Sequence, residues 1–252
     1  MVLEILICTI DEGIGKVPDV LMSPRADVRY VVSMQWTREE MKGRVPDVLR
    51  EREDVKLVFL EGKGLSRNRN YAMANASGDV LLIADDDNRY TDELIENIFE
   101  AYEEHPEADA IHFQALSLEG TLLHSYPADY VTSHELTLRR HVKVPFDERF
   151  GLGSEKLCAG EEQVWMKDLE DGNYNVLYVA KPIVMTRRET TGTRFVGCEK
   201  MQMSKGATFK YVYGTGEAVW RSVKEAGWYL WHRGVNPIPI LYNMLRGIYY
   251  IS

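Results

Sequence analysis

The chain has 252 residues, of which 45% are hydrophobic, and its formal net charge is −9. This length and this hydrophobic content suffice for one large domain, or for one domain with an appendage. The negative charge excludes a general basic surface for nucleic acid, so an anionic ligand must be bound locally, through a metal and a few arginines.

Short apolar runs alternate with helical patterns through the first half of the chain. This alternation indicates an α/β fold, with a mostly parallel, Rossmann-like sheet flanked by helices. Ligands of such sheets bind beyond the carboxyl ends of the strands. A short helix with a capping box is expected to begin at Thr37. The predicted strands are 3–9, 28–33, 55–60, 80–84 and 108–116, and the predicted helices are 65–76 and 92–105.

The second half of the chain is less regular. The sequence predicts a hairpin at 116–126 around Gly120, a loop rich in Phe and Gly at 142–153, and a helix at 160–172. One or two strands are predicted at 174–184. Beyond Arg187 we expect a linker and then helices.

The C-terminal stretch 235–251 is aromatic and carries a single charge, Arg246. Pro237 and Pro239 are expected to interrupt it, which argues against a spanning helix. The pattern fits a peripheral membrane contact, a helix docked on the core, or a homodimer contact. Docking or dimerisation is favoured slightly.

The three cysteines, Cys8, Cys158 and Cys198, share no CxxC spacing. Their odd number and wide spacing predict neither a disulfide framework nor a zinc site, and favour a reducing compartment. The first residues are apolar, but the run is short and lacks a basic segment, so they predict a strand rather than a signal peptide. We therefore expect a cytoplasmic protein.

Three consecutive aspartates, Asp85, Asp86 and Asp87, follow the apolar run 80–84. Three like charges this close repel one another, and a cation would hold them together. Oxygen ligands suit Mg²⁺ or Mn²⁺, and such metals usually bring a phosphate-bearing substrate. The alternative is an acidic turn that caps the next helix, and the triplet alone does not separate the two.

Upstream of the aspartates, Arg67 and Arg69 lie near the start of a predicted helix. Two cations there are unfavourable for the helix dipole unless an anion binds. Arginine matches the geometry of phosphate, so the pattern favours a phosphate site over a solvated basic turn.

Downstream, Glu161 and Glu162 lie at the start of another predicted helix, where the helix dipole keeps both ionised. An ionised carboxylate in a cleft can act as a general base. Considered alone, the pair is more simply explained as an ordinary acidic helix start.

The order of these parts resembles the inverting glycosyltransferases of family 2, which have the GT-A fold. The resemblance covers roughly residues 3 to 192 and rests on four segments in order. They are Ile5-Leu6-Ile7-Cys8-Thr9-Ile10-Asp11, then Gly64-Leu65-Ser66-Arg67-Asn68-Arg69-Asn70-Tyr71-Ala72 with Ala76-Ser77-Gly78-Asp79, then Asp85-Asp86-Asp87 as a D-x-D motif, and Phe146 to Gly153 with Gly160-Glu161-Glu162.

The resemblance implies a role for each of these segments. It implies that Mg²⁺ or Mn²⁺ binds at Asp87 and bridges the diphosphate of a nucleotide-diphosphate sugar. The implied catalytic base is Glu162, and Glu161 and Gly153 are implied to bind the acceptor. The implied donor-binding residues are Thr9, Asp11, Arg67, Arg69, Asp85, Asp86 and Arg188.

The resemblance also implies the domain organisation. We expect a GT-A catalytic domain at 1–192, with a nucleotide-sugar half at 1–107 and an acceptor half at 108–192. A C-terminal lid and helical extension would follow at 193–252. Arg187 or Arg188 would neutralise the departing diphosphate, unless both simply border a lid.

The implied reaction is metal-dependent transfer of a sugar, with inversion, to a hydroxyl of a saccharide or lipid-linked acceptor. A UDP-sugar is the expected donor. In this family the second strand commonly ends in an aspartate that binds the uracil base, and the second predicted strand here has no acidic residue at its end. Surface polysaccharide synthesis, in the cytoplasm or at the inner face of the cytoplasmic membrane, is the expected setting, with no nucleic-acid partner.

Three other classes of protein remain as alternatives. A sugar nucleotidyltransferase-like enzyme would need a Gly-rich, basic loop after its first strand, which Asp11 to Lys16 matches poorly. An aspartyl phosphatase would need a hydroxyl residue where Arg89 lies. A catalytically silent sugar-binding GT-A protein would bind the donor without turning it over.

Overall fold

The computed structural model describes residues 1–123, 131–187 and 195–251. The described residues fall into two compact units. The first lies within Met1–Lys63, Arg67–Pro145 and Asp168–Arg188, and the second lies within Gly64–Ser66, Phe146–Lys167 and Glu189–Ser252. Among the predicted residues, Arg188 lies outside the described part of the chain.

A seven-stranded sheet forms the centre of the first unit, in the order β3-β2-β1-β4-β6-β5-β7. Its strands are β1 (Leu3–Ile10), β2 (Val28–Trp36), β3 (Val55–Glu61), β4 (Val80–Asp85), β5 (Ala110–Ser117), β6 (Leu136–Arg139) and β7 (Val176–Thr186). β6 runs antiparallel to both of its neighbours, and the other pairs are parallel. The prediction of a mostly parallel sheet is confirmed.

The helices begin and end where local chemistry requires it. They are α1 (Asp47–Glu51), α2 (Leu65–Ala74), α3 (Asp92–Glu104) and α4 (Glu161–Asp171), with 3₁₀ turns at Asp11–Asp19, Glu39–Arg44 and Ser133–Glu135. Thr91 caps α3, because its Oγ1 accepts a hydrogen bond from the amide of Leu94 at 3.4 Å. α3 ends before Pro106, as the sequence predicts.

The sheet is covered by a closely packed apolar layer. Leu3, Ile5 and Ile7 of β1 are fully buried in one cluster with Ile95 and Ile98 of α3. The alternation along β1 turns one set of side chains to this layer, so the intervening positions point to the opposite face. The sheet is thereby held rigidly enough to position groups at its carboxyl edge.

Several secondary-structure elements differ from those predicted from the sequence. β2 extends to Trp36, beyond the predicted end at residue 33, and a 3₁₀ turn at Glu39–Arg44 replaces the helix expected from Thr37. The short strand β6 was missed. Four residues carry too little periodicity to be distinguished from a loop.

The second unit contains two long C-terminal helices, α5 (Glu199–Arg233) and α6 (Pro237–Tyr250). α5 is broken at Gly214, whose φ of 79° and ψ of 171° are not helical. After this break α5 folds back, and Lys205 Nζ lies 2.5 Å from Glu225 Oε1. The C-terminal region is therefore helical, as the sequence predicts.

The prediction that prolines interrupt the C-terminal stretch is wrong. Pro237 is the first residue of α6 and Pro239 the third, while Asn236 caps the helix by accepting from the amide of Ile238 at 3.0 Å. Proline is tolerated there because the first turn has no intrahelical partner for its amide. Among the described residues, none of the helices is both long and apolar enough to cross a membrane.

Candidate functional site

Asp86 is bound to the end of β1. Thr9 Oγ1 donates a hydrogen bond to Asp86 Oδ2 at 2.6 Å, and Lys16 Nζ lies 3.6 Å from Asp86 Oδ1. Burial raises the pKa of Asp86 above its usual value, against the lowering effect of both contacts. A Cβ at Gly13 would lie 2.4 Å from the same carboxylate and hydroxyl oxygens. Because Gly13 has no side chain, there is room for the hydrogen bond between Thr9 and Asp86.

Asp85, the last residue of β4, lies between two basic side chains. Arg69 Nη2 is 3.6 Å from Asp85 Oδ1, and His134 Nδ1 is 3.6 Å from Asp85 Oδ2. Burial by itself raises the pKa of Asp85, but the neighbouring His134 ring and the charge of Arg69 lower it to about 2. Asp85 is therefore a fixed anion.

Arg69 and His134 are themselves held by neighbouring groups. Arg69 is 2% exposed, and its Nη2 donates to Ser133 Oγ at 2.6 Å. Thr132 Oγ1 donates to Glu135 Oε2 at 2.7 Å and so accepts from His134 Nε2 at 2.9 Å. The proton on Nε2 fixes the ring orientation that turns Nδ1 to Asp85. Sequence reasoning missed these residues, although Thr132 and Glu135 have the spacing of a capping box.

The first prediction concerns acid stability. Because the folded-state pKa of Asp85 lies below the ordinary 3.8, its ion pairs stabilise the protein above that pH. This contribution is lost as the pH falls from 3.8 towards 2, so Asp85→Asn should show a smaller loss of stability across that window. The free energy of unfolding, measured with denaturant at a series of pH values for both proteins, tests this expectation.

Asp86→Asn is the matched control for this measurement. The folded-state pKa of Asp86 is raised, so its contribution is present at low pH and is lost as the pH rises through that pKa. Asp86→Asn should therefore change the slope of stability against pH in the opposite direction. Equal slopes in both variants would contradict the assigned environments.

Asp87 is the most loosely held of the three aspartates. Its Oδ2 lies 3.9 Å from Arg187 Nε, near the limit of an ion pair, and about a third of its side chain is exposed. Within residues 1–123, 131–187 and 195–251, no group of three or more His, Cys, Asp or Glu is arranged to hold a metal ion. Mg²⁺ is usually held by one or two carboxylates together with substrate phosphates. Asp87 fits a cation shared in this way.

Arg67 and Arg69 point in different directions. Residues two apart on a helix are separated by about 200°, so the two side chains leave α2 on different sides. Arg67 Nη1 donates to the carbonyl of Glu61 at 2.9 Å, while Arg69 turns to Asp85. Between them, the buried Asn68 donates through Nδ2 to the carbonyls of Thr9 and Ser33, each at 3.1 Å. Asn68 therefore joins the ends of β1 and β2, a role that the sequence did not reveal.

Asp11 closes the loop after β1. It has a positive φ of 47°, and its two carboxylate oxygens accept from the amide and the hydroxyl of Thr37, at 2.8 and 2.6 Å. Although burial raises the pKa of Asp11, these hydrogen bonds lower it below its usual value. Asp11 thus joins the loops that follow β1 and β2.

The predicted acceptor residues lie in the second unit. The amide of Leu65 donates to the carbonyl of Leu152 at 2.8 Å, and Ser66 Oγ donates to the carbonyl of Phe150 at 2.7 Å. Glu161 is buried and Glu162 is partly exposed, both in the first turn of α4. The start of α2 therefore holds the loop that contains Gly153, the third of the predicted acceptor residues.

The second prediction concerns Gly151 in this loop. Its φ is 98°, and a Cβ would lie 2.8 Å from Ser66 Oγ and 3.2 Å from Glu161 Cδ. Gly151→Ala should therefore combine backbone strain with loss of the Ser66 hydrogen bond, and cost about 3 kcal/mol of unfolding free energy. Chemical denaturation measures the loss.

Gly120→Ala separates the two effects. Gly120 also has a positive φ, 81°, but a Cβ there would meet nothing within 4 Å. Its substitution should cost only about 1 kcal/mol. Equal losses would show that the close approach of Gly151 to Ser66 and Glu161 contributes nothing.

The seven-stranded mixed sheet, flanked by helices and followed by a helical C-terminal region, has the GT-A-like fold. TarS from S. aureus, as residues 1–349 in complex with UDP-GlcNAc, is similar with a TM-score of 0.60 and 14% identity, covering 100% of this chain and 82% of that one. The mannosyltransferase PcManGT from Pyrobaculum calidifontis, in complex with GDP-Man and Mn²⁺, has a TM-score of 0.55 and 12% identity, covering 99% of this chain and 75% of that one. At these identities the likeness concerns the fold.

The sequence of residues 37–143 matches the family described as Glycosyl transferase family 2. This match covers less than half of the chain, and by it residues 37–143 resemble the glycosyltransferases of that family. The matched segment contains the arginine helix and the three aspartates, and it ends before Glu161. The chain spans 44% of a longer TarS chain, with a TM-score of 0.58 and 14% identity over 93% of this chain. No curated protein matches the sequence.

Proposed function

We propose that this chain transfers a sugar from a nucleotide-diphosphate donor to an acceptor hydroxyl, with inversion at the anomeric carbon. The observation that carries the proposal is the arrangement of the three aspartates at the end of β4. Asp85 is fixed by Arg69 and His134, whereas Asp87 is partly exposed and loosely paired. The oriented carboxylate of Asp85 suits hydrogen bonding to a nucleotide. The accessible carboxylate of Asp87 suits a cation that is shared with the diphosphate.

The donor-binding role is assigned to Asp85, Asp87 and Arg187. Asp85 would accept hydrogen bonds from the ribose hydroxyls or from the base of the donor nucleotide. Its low pKa keeps the carboxylate ionised for this role. Asp87 would hold Mg²⁺ or Mn²⁺, which when bound offsets the negative charge of the diphosphate. Arg187, which pairs loosely with Asp87, would turn to a phosphate oxygen when the carboxylate binds the cation. The mannosyltransferase structure with Mn²⁺ supports this choice of cofactor.

The acceptor role is assigned to Glu161, Glu162 and Gly153. Glu162 would accept the proton of the acceptor hydroxyl as its oxygen attacks the anomeric carbon and the bond to the diphosphate breaks. A single displacement inverts the configuration, so no nucleophile from the protein is needed. Glu161 would hold acceptor hydroxyls, with Gly153 giving close access to the loop backbone. A saccharide or lipid-linked acceptor, in surface polysaccharide synthesis, fits this assignment.

The choice of nucleotide is the least constrained part of the proposal. β2 carries Ser33 and Gln35 where an acid would read uracil, and Ser33 Oγ is engaged with Asn68 Oδ1 at 2.6 Å. Gln35 is buried, and its Nε2 has no hydrogen-bond partner among the described residues. Structures of similar fold bind UDP-GlcNAc and GDP-Man, so both bases are candidates.

A panel of nucleotide sugars tests the proposal directly. Thermal unfolding is measured with each UDP-, GDP- and other nucleotide-linked sugar, with and without Mn²⁺. One nucleotide should raise the melting temperature in a metal-dependent way, and slow release of the nucleoside diphosphate should accompany it. A metal-dependent shift without any turnover would favour the silent sugar-binding protein, and no shift with any nucleotide would overturn the proposal.

A further inference from the structure

One side of α6 presents a continuous exposed stripe. Ile238, Tyr242, Leu245 and Tyr249 follow one another at spacings of four, three and four residues, which places them on one face of a helix. Ile238 is 73% exposed and Tyr249 is 82% exposed. Such large apolar side chains on one face are more than the scattered surface residues of an ordinary protein.

The opposite side of α6 is packed against α5. Met244 and Ile248 are buried there. The backbones approach so closely that a Cβ at Gly247 would lie 1.9 Å from the carbonyl oxygen of Met203. α6 is therefore apolar on both sides, with only one side covered by the described part of the chain.

The second half of α5 adds a similar exposed face. Trp220, Val223 and Leu230 are exposed, and Trp231 is 86% exposed. Tryptophan and tyrosine combine an apolar ring with a polar group, and they are enriched where a membrane meets water. We call these exposed side chains of α5 and α6 the aromatic face.

The charge of this region is opposite to that of the whole chain. Between residues 199 and 251 there are seven Lys and Arg against three Glu, while the chain as a whole has a net charge of −9. Cations also lie beside the exposed rings: Lys224 Nζ is 5.3 Å from the Trp220 ring centre, and Arg246 Cζ is 5.6 Å from that of Tyr242. Aromatic rings bordered by cations are complementary to an anionic lipid surface.

We propose that the aromatic face binds the surface of an anionic lipid bilayer, so that the protein is peripherally attached to a membrane. A second copy of this chain fits less well. In a two-fold contact the same surface would face itself, and its excess of Lys and Arg would be brought together. The proposal does not depend on sugar transfer, so the two can fail independently.

Vesicle sedimentation with the full chain tests the proposal. We expect binding to vesicles that contain phosphatidylglycerol and much weaker binding to pure phosphatidylcholine. Trp231→Ala with Tyr249→Ala should weaken binding by about tenfold or more, because two exposed rings no longer enter the interface. Lys224→Gln with Arg233→Gln should weaken binding to the anionic vesicles by roughly five-fold per charge.

Two controls keep these results interpretable. Leu118→Ala removes an exposed apolar side chain of the first unit and should leave vesicle binding unchanged. Thermal unfolding of each variant should match that of the parent protein, since the replaced side chains are exposed. Sedimentation velocity without lipid should show that the parent protein does not dimerise through this face.

Three results would overturn the proposal. The first is no binding to either kind of vesicle, and the second is equal binding to neutral and anionic vesicles. The third is a lipid-free dimer that dissociates when Trp231 and Tyr249 are replaced, which would assign the aromatic face to a second copy of the chain.

Discussion

Replacing Glu162 by Gln is expected to lower the rate of sugar transfer by about 10²- to 10⁴-fold, the contribution typical of a general base. The amide has the shape of the carboxylate but cannot take up the proton of the acceptor hydroxyl. Donor binding should change little, because the proposed donor residues belong to the first unit. Single-turnover transfer measures the first quantity, and calorimetric titration with the nucleotide sugar measures the second.

Glu170→Gln is the matched control, since Glu170 lies in the last turn of the same helix, α4, and is exposed. It should leave both transfer and donor binding unchanged. If Glu162→Gln reduced transfer and donor binding to the same extent, Glu162 would be a binding residue and its assignment as the base would be wrong.

The second large effect is expected from Asp87→Asn. An amide oxygen carries no net charge, so it replaces a carboxylate poorly as a ligand for Mg²⁺ or Mn²⁺. We expect the metal-dependent part of donor affinity to fall by about 100-fold, while weak binding without metal persists. Titrations of the nucleotide sugar with Mn²⁺, and with a chelator, separate the two parts.

Asp47→Asn serves as the control for this change, because Asp47 is an exposed aspartate at the start of α1. It removes one negative charge from the protein without touching the carboxyl edge of the sheet. Unchanged metal dependence in Asp87→Asn would remove Asp87 from the cation site and count against the D-x-D assignment.

The sequence predicted the strands of the parallel sheet well, because apolar runs of this length have few other stable arrangements. β1 and β4 differ from the prediction by one residue at most at either end. The prediction failed where tertiary contacts decide the structure. Pro237 and Pro239 begin α6 because Asn236 caps the helix ahead of them, and the composition of the stretch does not show this.

The chemistry at the aspartates could be predicted only in part. Their position at the end of β4 follows from the apolar run, so the sequence located this edge of the sheet. Arg69 was identified, but its direction depends on helical phase, which separates it from Arg67. His134 and Ser133 could not be found, since their contact with Asp85 and Arg69 depends on how a strand distant in sequence is paired.

The reversed direction of β6 has a consequence for the order of folding. If β6 ran parallel to β4, the residues after β6 would lie at the carboxyl end of β4. Because β6 is antiparallel, the residues before β6 lie there instead. Asp85 therefore meets a partner about 50 residues away in sequence. Contacts over such a separation form slowly, because the intervening chain must first lose its freedom. The strands before Asp85 can pair early, but the carboxylate obtains its final surroundings only when β6 has joined the sheet.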